Sequence, residues 1–159
     1  MAAKVLSELS NDLKAFGKKV KKDVTEIKRE TARRALAGVI MRSPVHSGDY
    51  VKSNRVGITT KTSGRGVGLG FHLTPGNKWL MSRHPSPWKL KLDLYGQKKL
   101  RISAAKFEDT IVIYNNIPYA DQVEFIGWEL TPPYHPFGHT INLMNIQFPL
   151  IVKTGGTIA

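Results

Sequence analysis

The side chains best suited by type to hold a metal or move a proton near neutral pH are five histidines: His46, His72, His84, His135 and His139. Only His135 and His139 have ligand spacing. That spacing serves a metal only on a helix, and Pro136 between them argues against one. Asp121 and Glu124 stand three apart on a short helical stretch, read with both carboxylates on its solvent side, and no further acids stand near enough for a metal-dependent nuclease. The chain has no cysteine, so a nucleophile would have to be Ser, Thr or Lys, and no Gly-x-Ser-x-Gly elbow occurs. Gly66-x-Gly68-x-Gly70 lacks both the Gly-Lys-Ser/Thr ending of a phosphate loop and dinucleotide spacing, and reads as a hairpin or loop exposing Lys61 and Arg65. We therefore expect no enzyme, no metal and no cofactor.

Charge points elsewhere. The formal net charge is +12, unevenly placed: residues 52–106 hold 12 basic side chains against Asp93 alone, whereas residues 107–159 hold Lys153 against five acids. A basic middle and an acidic end suit either nucleic acid or the packing of oppositely charged faces of copies. Trp79, Trp88 and Tyr95 lie among Lys78, Arg83, Lys89 and Lys91. That interleaving would suit single strands, although aromatics packing a sheet with lysines outside explain it better. No RNA-recognition, zinc-finger or homeodomain signature is present.

These residues must be positioned by a chain of 159 residues, one domain by length. Leu9, Leu13, Phe16, Val20, Val24, Ile27, Thr31, Ala35 and Gly38 recur at steps of three and four, close to an eleven-residue repeat. They predict a helix over about residues 5 to 41, roughly 55 Å long. That is longer than so small a domain needs, so its apolar stripe is expected to reach a neighbouring subunit through Leu13, Phe16 and Val20. Pro44 ends this helix, Ser47-Gly48 turns the chain, and a strand is expected from Tyr50 to Thr60. The alternation Lys89-Leu90-Lys91-Leu92-Asp93-Leu94-Tyr95 reads as a further strand.

Ile111, Val112, Ile113 and Tyr114 read as a buried strand, stopped by Asn115-Asn116. Past Pro118 the period changes, and Tyr119, Val123 and Ile126 suit one face of a short helix that ends at Gly127 with positive φ. The run from Thr131 to Gly138 is a proline-stiffened loop. A last apolar element follows from about 139 to 153, with Pro149 removing one internal hydrogen bond, and the tail from Gly155 is expected to be loose unless a partner orders it. No stretch has the roughly 20 apolar residues of a membrane span, and no secretory signal opens the chain, so a soluble protein made in a cytoplasm is expected.

Two landmarks in this order carry a resemblance. Ser43, Pro44, Val45, Ser47 and Gly48 follow the long helix; Asn115, Asn116, Pro118, Tyr119, Ala120, Glu124, Gly127 and Trp128 come some sixty residues later. Together they resemble the neck and tail-completion proteins of long-tailed bacteriophages, in which a helix runs into a Ser/Thr-Pro-Val-x-Thr/Ser-Gly turn. An Asn-Asn-x-Pro-Tyr-Ala segment, a short acidic helix and a Gly-Trp follow in that family. The resemblance covers about two thirds of the chain. It implies a structural protein of the virion, a homo-oligomeric ring (six- or twelve-fold) around the DNA channel at the head–tail junction. Its partners would be head-completion or adaptor proteins on one side and tail-tube or tail-terminator proteins on the other, with no membrane involved. The C-terminal element from 139 to 153 is then a helix.

The expected fold is α+β. Residues 1–42 form a long amphipathic helix, 43–114 a small, mostly antiparallel sheet with a basic insertion, and 115–159 a short helix, a proline-rich loop and a C-terminal helical element. On this reading Lys61, Arg65, Lys98 and Lys99 face the DNA channel or an acidic partner, and Asp121, Glu124 and Glu129 join the long helix in contacts between subunits. The alternative is a free-standing basic nucleic-acid-binding protein that dimerises through its N-terminal helix.

Overall fold

A computed structural model describes residues 2–45, 48–59, 86–127 and 132–156, with side chains from Leu6 onward. The expectations for Ser47, Lys61, Arg65, the 66–70 glycines, Trp79, Trp128 and Glu129 lie outside those residues.

Helix α1 runs Ala2–Arg42. Its end is set by Ser43 ahead of Pro44: the Ser43 amide reaches Val39 O at 3.0 Å and its hydroxyl donates to the same carbonyl at 2.7 Å. Gly48, with φ of 79°, makes the turn that only glycine takes cheaply. A single helical turn, α2 (Asp49–Ser53), follows and buries Tyr50 and Val51. Strand β1 (Asn54–Thr59) therefore begins four residues later than the expected strand from Tyr50.

The alternation at 89–95 is not a strand. It lies in helix α3, Pro87–Ser103. Leu90 is buried and Leu94 packs on the core, but Leu92 is exposed, as a four-residue step demands and a two-residue step forbids. Signals for the helix were present: Pro87 at the first turn, a run of Lys, Leu, Gln and Arg, and Ile102 a whole number of four-residue steps beyond Leu90.

Strand β2 (Thr110–Asn115) pairs antiparallel with β1 in a two-stranded ribbon, with Asn54 opposite Asn115 and Thr59 opposite Thr110. A ribbon of two strands is not stable by itself. It is held on α1 and α3 by a core of Leu36, Ile40, Val51, Val56, Leu90 and Ile102, which Ile111 and Ile113 join from β2.

After β2 comes one π-helical turn, Gln122–Ile126, ending at Gly127 with φ of 75°. Of the apolar face expected there, Val123 is fully buried, whereas Tyr119 and Ile126 are exposed, and so is Phe125 beside them. Helix α4, Pro136–Lys153, starts within the proline-rich stretch, because Pro136 takes the first helical position where no donor is needed. It continues through Pro149, which lies on the exposed side where water can serve the carbonyl left over. A turn over residues 154–156 follows the helix. Gly155 and Gly156 have φ of 63° and 83°, and the amide of Gly156 closes on Ile151 O at 2.9 Å.

Helix α4 lies along the C-terminal half of α1. At one end a Cβ on Gly38 would stand 2.8 Å from the Thr140 side chain; at the other, one on Gly156 would stand 3.1 Å from the backbone of Glu26. The observed fold is thus α+β: among the described residues, a long N-terminal helix, the shorter helices α2, α3 and α4, and a small antiparallel sheet.

Candidate assembly surface

The two landmark segments meet. Ser43 Oγ accepts from Asn54 Nδ2 at 2.8 Å, and Asn54 Oδ1 accepts from Asn115 Nδ2 at 2.9 Å. Asn115 Nδ2 also donates to Tyr50 O at 2.9 Å, while its Oδ1 accepts the Ile117 amide at 3.1 Å, closing the turn that stops β2. Asn54 and Ser43 are fully buried, so each bond replaces water that cannot enter. Asn54 was not singled out in the sequence; an Asn at the head of a strand carries no signal until the register places Asn115 beside it.

Glu124 is buried, which corrects its reading as a solvent-side acid and removes it from the contacts expected between subunits. Its carboxylate accepts from the Gly138 amide at 2.7 Å and the Phe137 amide at 3.1 Å, the free donors of the first turn of α4. The residue preceding that helix, His135, offers no side-chain cap and takes φ of 48°. A carboxylate borrowed from the π-turn therefore caps the helix, which its dipole favours. Tyr50 packs nearby, and burial, then Glu124, then Tyr119 raise its pKa. Asp121 stays exposed.

Several cations are used inside the fold. Lys98 Nζ donates to Lys52 O at 2.8 Å and to Asn54 O, at the end of α2. Burial, then Arg55 and Arg101, lower its pKa to about 8. Its ammonium is thus bound by carbonyls of its own chain. Lys91 donates to Met41 O at 2.7 Å in the last turn of α1, and burial lowers its pKa. Arg29 grips Ala105 O at 2.7 and 3.0 Å, and Lys28 donates to the carbonyls of Lys106, Phe107 and Asp109. Carbonyls at helix ends and in a tight turn carry partial negative charge. Part of the positive excess of this chain is thus a set of internal caps, and net charge overstates what is offered to a partner. Lys99 is exposed, 5.6 Å from the Tyr95 ring.

Where α1 leaves the core, its stripe loses its cover. Leu6, Leu9, Leu13, Phe16, Val20 and Val24 are all exposed, Phe16 by 66% and Leu13 by 63%, whereas Leu36 on the same helix is 0% exposed. Six large apolar side chains in one row form an extended uncovered apolar surface. A second, open groove of about 390 Å³ lies between the ribbon end and α4, lined by Tyr50, Tyr114, Phe125, Phe137 and Ile141.

The rings of His135 and His139 stand edge to face at 5.8 Å, His139 being in the first turn of α4. Among the described residues no group of three or more His, Asp or Glu could hold a metal ion, and no helix is long and apolar enough to cross a membrane. Comparison with known proteins finds no matching family model, no matching curated protein and no matching solved structure. The resemblance to phage neck proteins rests on the two landmarks themselves.

Proposed function

We propose that this chain is a structural protein of a tailed phage, a neck or tail-completion component that joins or seals the head–tail junction by assembling as a ring around the DNA channel. The observation that carries this reading is the buried Ser43–Asn54–Asn115 chain: one residue from each landmark, Ser43 and Asn115, is joined through Asn54 into one polar unit at the end of the ribbon, beside the C-terminal end of α1. The uncovered stripe of α1 supports action through assembly, since such a surface in a free monomer exposes apolar area to water without return. On this reading Leu13, Phe16 and Val20 contact other subunits, and Lys61, Arg65 and Lys99 face the channel or an acidic partner. Contact with DNA there is independent of sequence and weakens steeply with salt. The partners are head-completion proteins on one side and tail-tube or terminator proteins on the other.

Electron microscopy of particles from the source phage with this gene interrupted tests the proposal. Filled or emptied heads lying beside free tails are expected; complete virions would overturn it. The same arm favours one other reading, a free-standing basic nucleic-acid-binding protein that dimerises through α1. Salt-sensitive DNA binding by a small dimer, with complete virions in its absence, would select that reading.

A further inference from the structure

We infer that the uncovered part of α1 is a self-recognition element: it pairs with the same segment of a second copy of this chain, antiparallel, as a short two-helix coiled coil. The inference takes from the assembly reading above only that the partner is a copy of the chain; an antiparallel pair is two-fold symmetric, so it lies between copies outside the neighbour-to-neighbour contacts of one ring.

Spacing sets the seam. Leu6, Leu9, Leu13, Phe16 and Val20 follow one another at steps of three, four, three and four, which is two heptads with every seam position apolar. All five are exposed. The next seam position would be Asp23, a carboxylate, and there the stripe moves to Val24 and Ile27 instead. Gly156, at the end of α4, lies against the backbone of Glu26 and Ile27. Within the fold, then, α4 covers the stripe as far as Ile27; outside it, the heptad seam runs from Leu6 to Val20 and ends at a charge. One row of apolar residues is divided between an internal helix and an external one.

Charge sets the orientation. The positions flanking the seam on one edge are Asp12 and Lys19; on the other edge they are Ser10, Gly17 and Val24. In a parallel pair unlike edges meet, so Asp12 would face Gly17 and Lys19 would face Val24, leaving both charges without partners. In an antiparallel pair like edges meet. Leu9 of one copy then lies against Val20 of the other, Leu13 against Phe16, and Asp12 pairs with Lys19 twice. The small edge brings Gly17 beside Ser10. Nothing among the described residues requires that glycine, since a Cβ on it would meet none of their atoms within 4 Å, and in mid-helix it costs about 1 kcal/mol relative to alanine. Close approach of a second helix supplies the reason. Residue 4 of one copy is then level with residue 25 of the other, where the core begins, so the two bodies sit at opposite ends of the pair. The remaining lysines of the arm (14, 18, 21 and 22) lie away from the seam, so nucleic acid would be met by the other face of the helix.

Two heptads bury little area, below about 1,200 Å², so the pair is reversible. The full chain has no native cysteine, and Leu9→Cys and Val20→Cys each place one thiol on an exposed position. When the two variants are mixed and oxidised, a cross-link between residues 9 and 20 is expected, with far less from either variant alone. Sedimentation gives the second readout: Asp12→Lys raises the dimer dissociation constant about tenfold, and adding Lys19→Asp brings it back to within about twofold. Monomers at every concentration, cross-links from each variant alone, or a charge swap that fails to restore pairing would overturn the inference. Failure to pair leaves the junction assignment standing, and complete virions without the gene leave the pairing standing.

Discussion

Asn54 and Asn115 are register partners at one end of the ribbon, and their side-chain amides are joined at 2.9 Å. The bond ties the start of β1 to the end of β2, and through Ser43 Oγ it reaches the last turn of α1. Asn115→Asp keeps the size of the side chain and its acceptor for Ile117, but loses the donor to both Tyr50 O and Asn54 Oδ1. A loss of about 2 kcal/mol is expected, because buried acceptors are left unpaired. Urea unfolding checks it: the midpoint falls while the slope stays the same.

Glu124 and Asp121 separate a capping carboxylate from a solvated one. Glu124→Ala leaves the amides of Phe137 and Gly138 without their acceptor and costs about 2 kcal/mol. Asp121→Ala, at an exposed position, changes stability by less than about 0.5 kcal/mol. Hydrogen exchange reads the same difference locally: the Phe137 and Gly138 amides lose protection in the Glu124 variant only.

Lys98 gives a pH signature. Its folded pKa is lowered to about 8 from the 10.5 of a free lysine, so between those values the unfolded chain binds more protons than the folded one. Stability therefore rises with pH across that window, and below pH 8 the contribution is flat. Near pH 10 the raised pKa values of Tyr50 and Tyr95 begin to act oppositely, since the unfolded tyrosines ionise first. Chemical unfolding of the wild-type chain from pH 7 to pH 10 should show the rise, and Lys98→Met should lose most of it.

Gly38 and Thr140 fix how closely α4 lies on α1. A Cβ at Gly38 would come within 2.8 Å of Thr140 Cγ2 and Oγ1. Gly38→Ala is expected to cost about 2 kcal/mol by forcing the helices apart, despite the better helix propensity of alanine. Pairing it with Thr140→Ala removes the clashing atoms, so the double variant should be more stable than the sum of the two single losses. Thermal unfolding of all four proteins measures that coupling.

Much of the fold was legible because local rules govern it. The stripe from Leu9 to Gly38 implied one long helix, Pro44 marked its end, Asn115 stopped a β-branched run, and Gly127 sat where positive φ is needed. The α3 segment was misread because three leucines at alternate positions satisfy a strand as well as part of a helix. Periodicity over seven residues does not separate the two, and the deciding residue, Ile102, lies outside that window. The internal roles of Lys28, Arg29, Lys91 and Lys98 left no trace in the chain, since a lysine bound to a carbonyl 44 residues or more away looks like any surface lysine.

By itself, then, the sequence determined the long N-terminal helix and its end before Pro44, the strand that stops at Asn115, and that one helix outruns its core. Those properties depend on the backbone preferences and apolar spacing of neighbours within a turn or two. Tertiary structure alone decided which part of the stripe is covered, that Glu124 caps α4, and that Asn54 completes the link between Ser43 and Asn115. Each of these needs two elements brought together from distant positions, where exclusion of water makes an unpaired polar atom costly and so selects the partner.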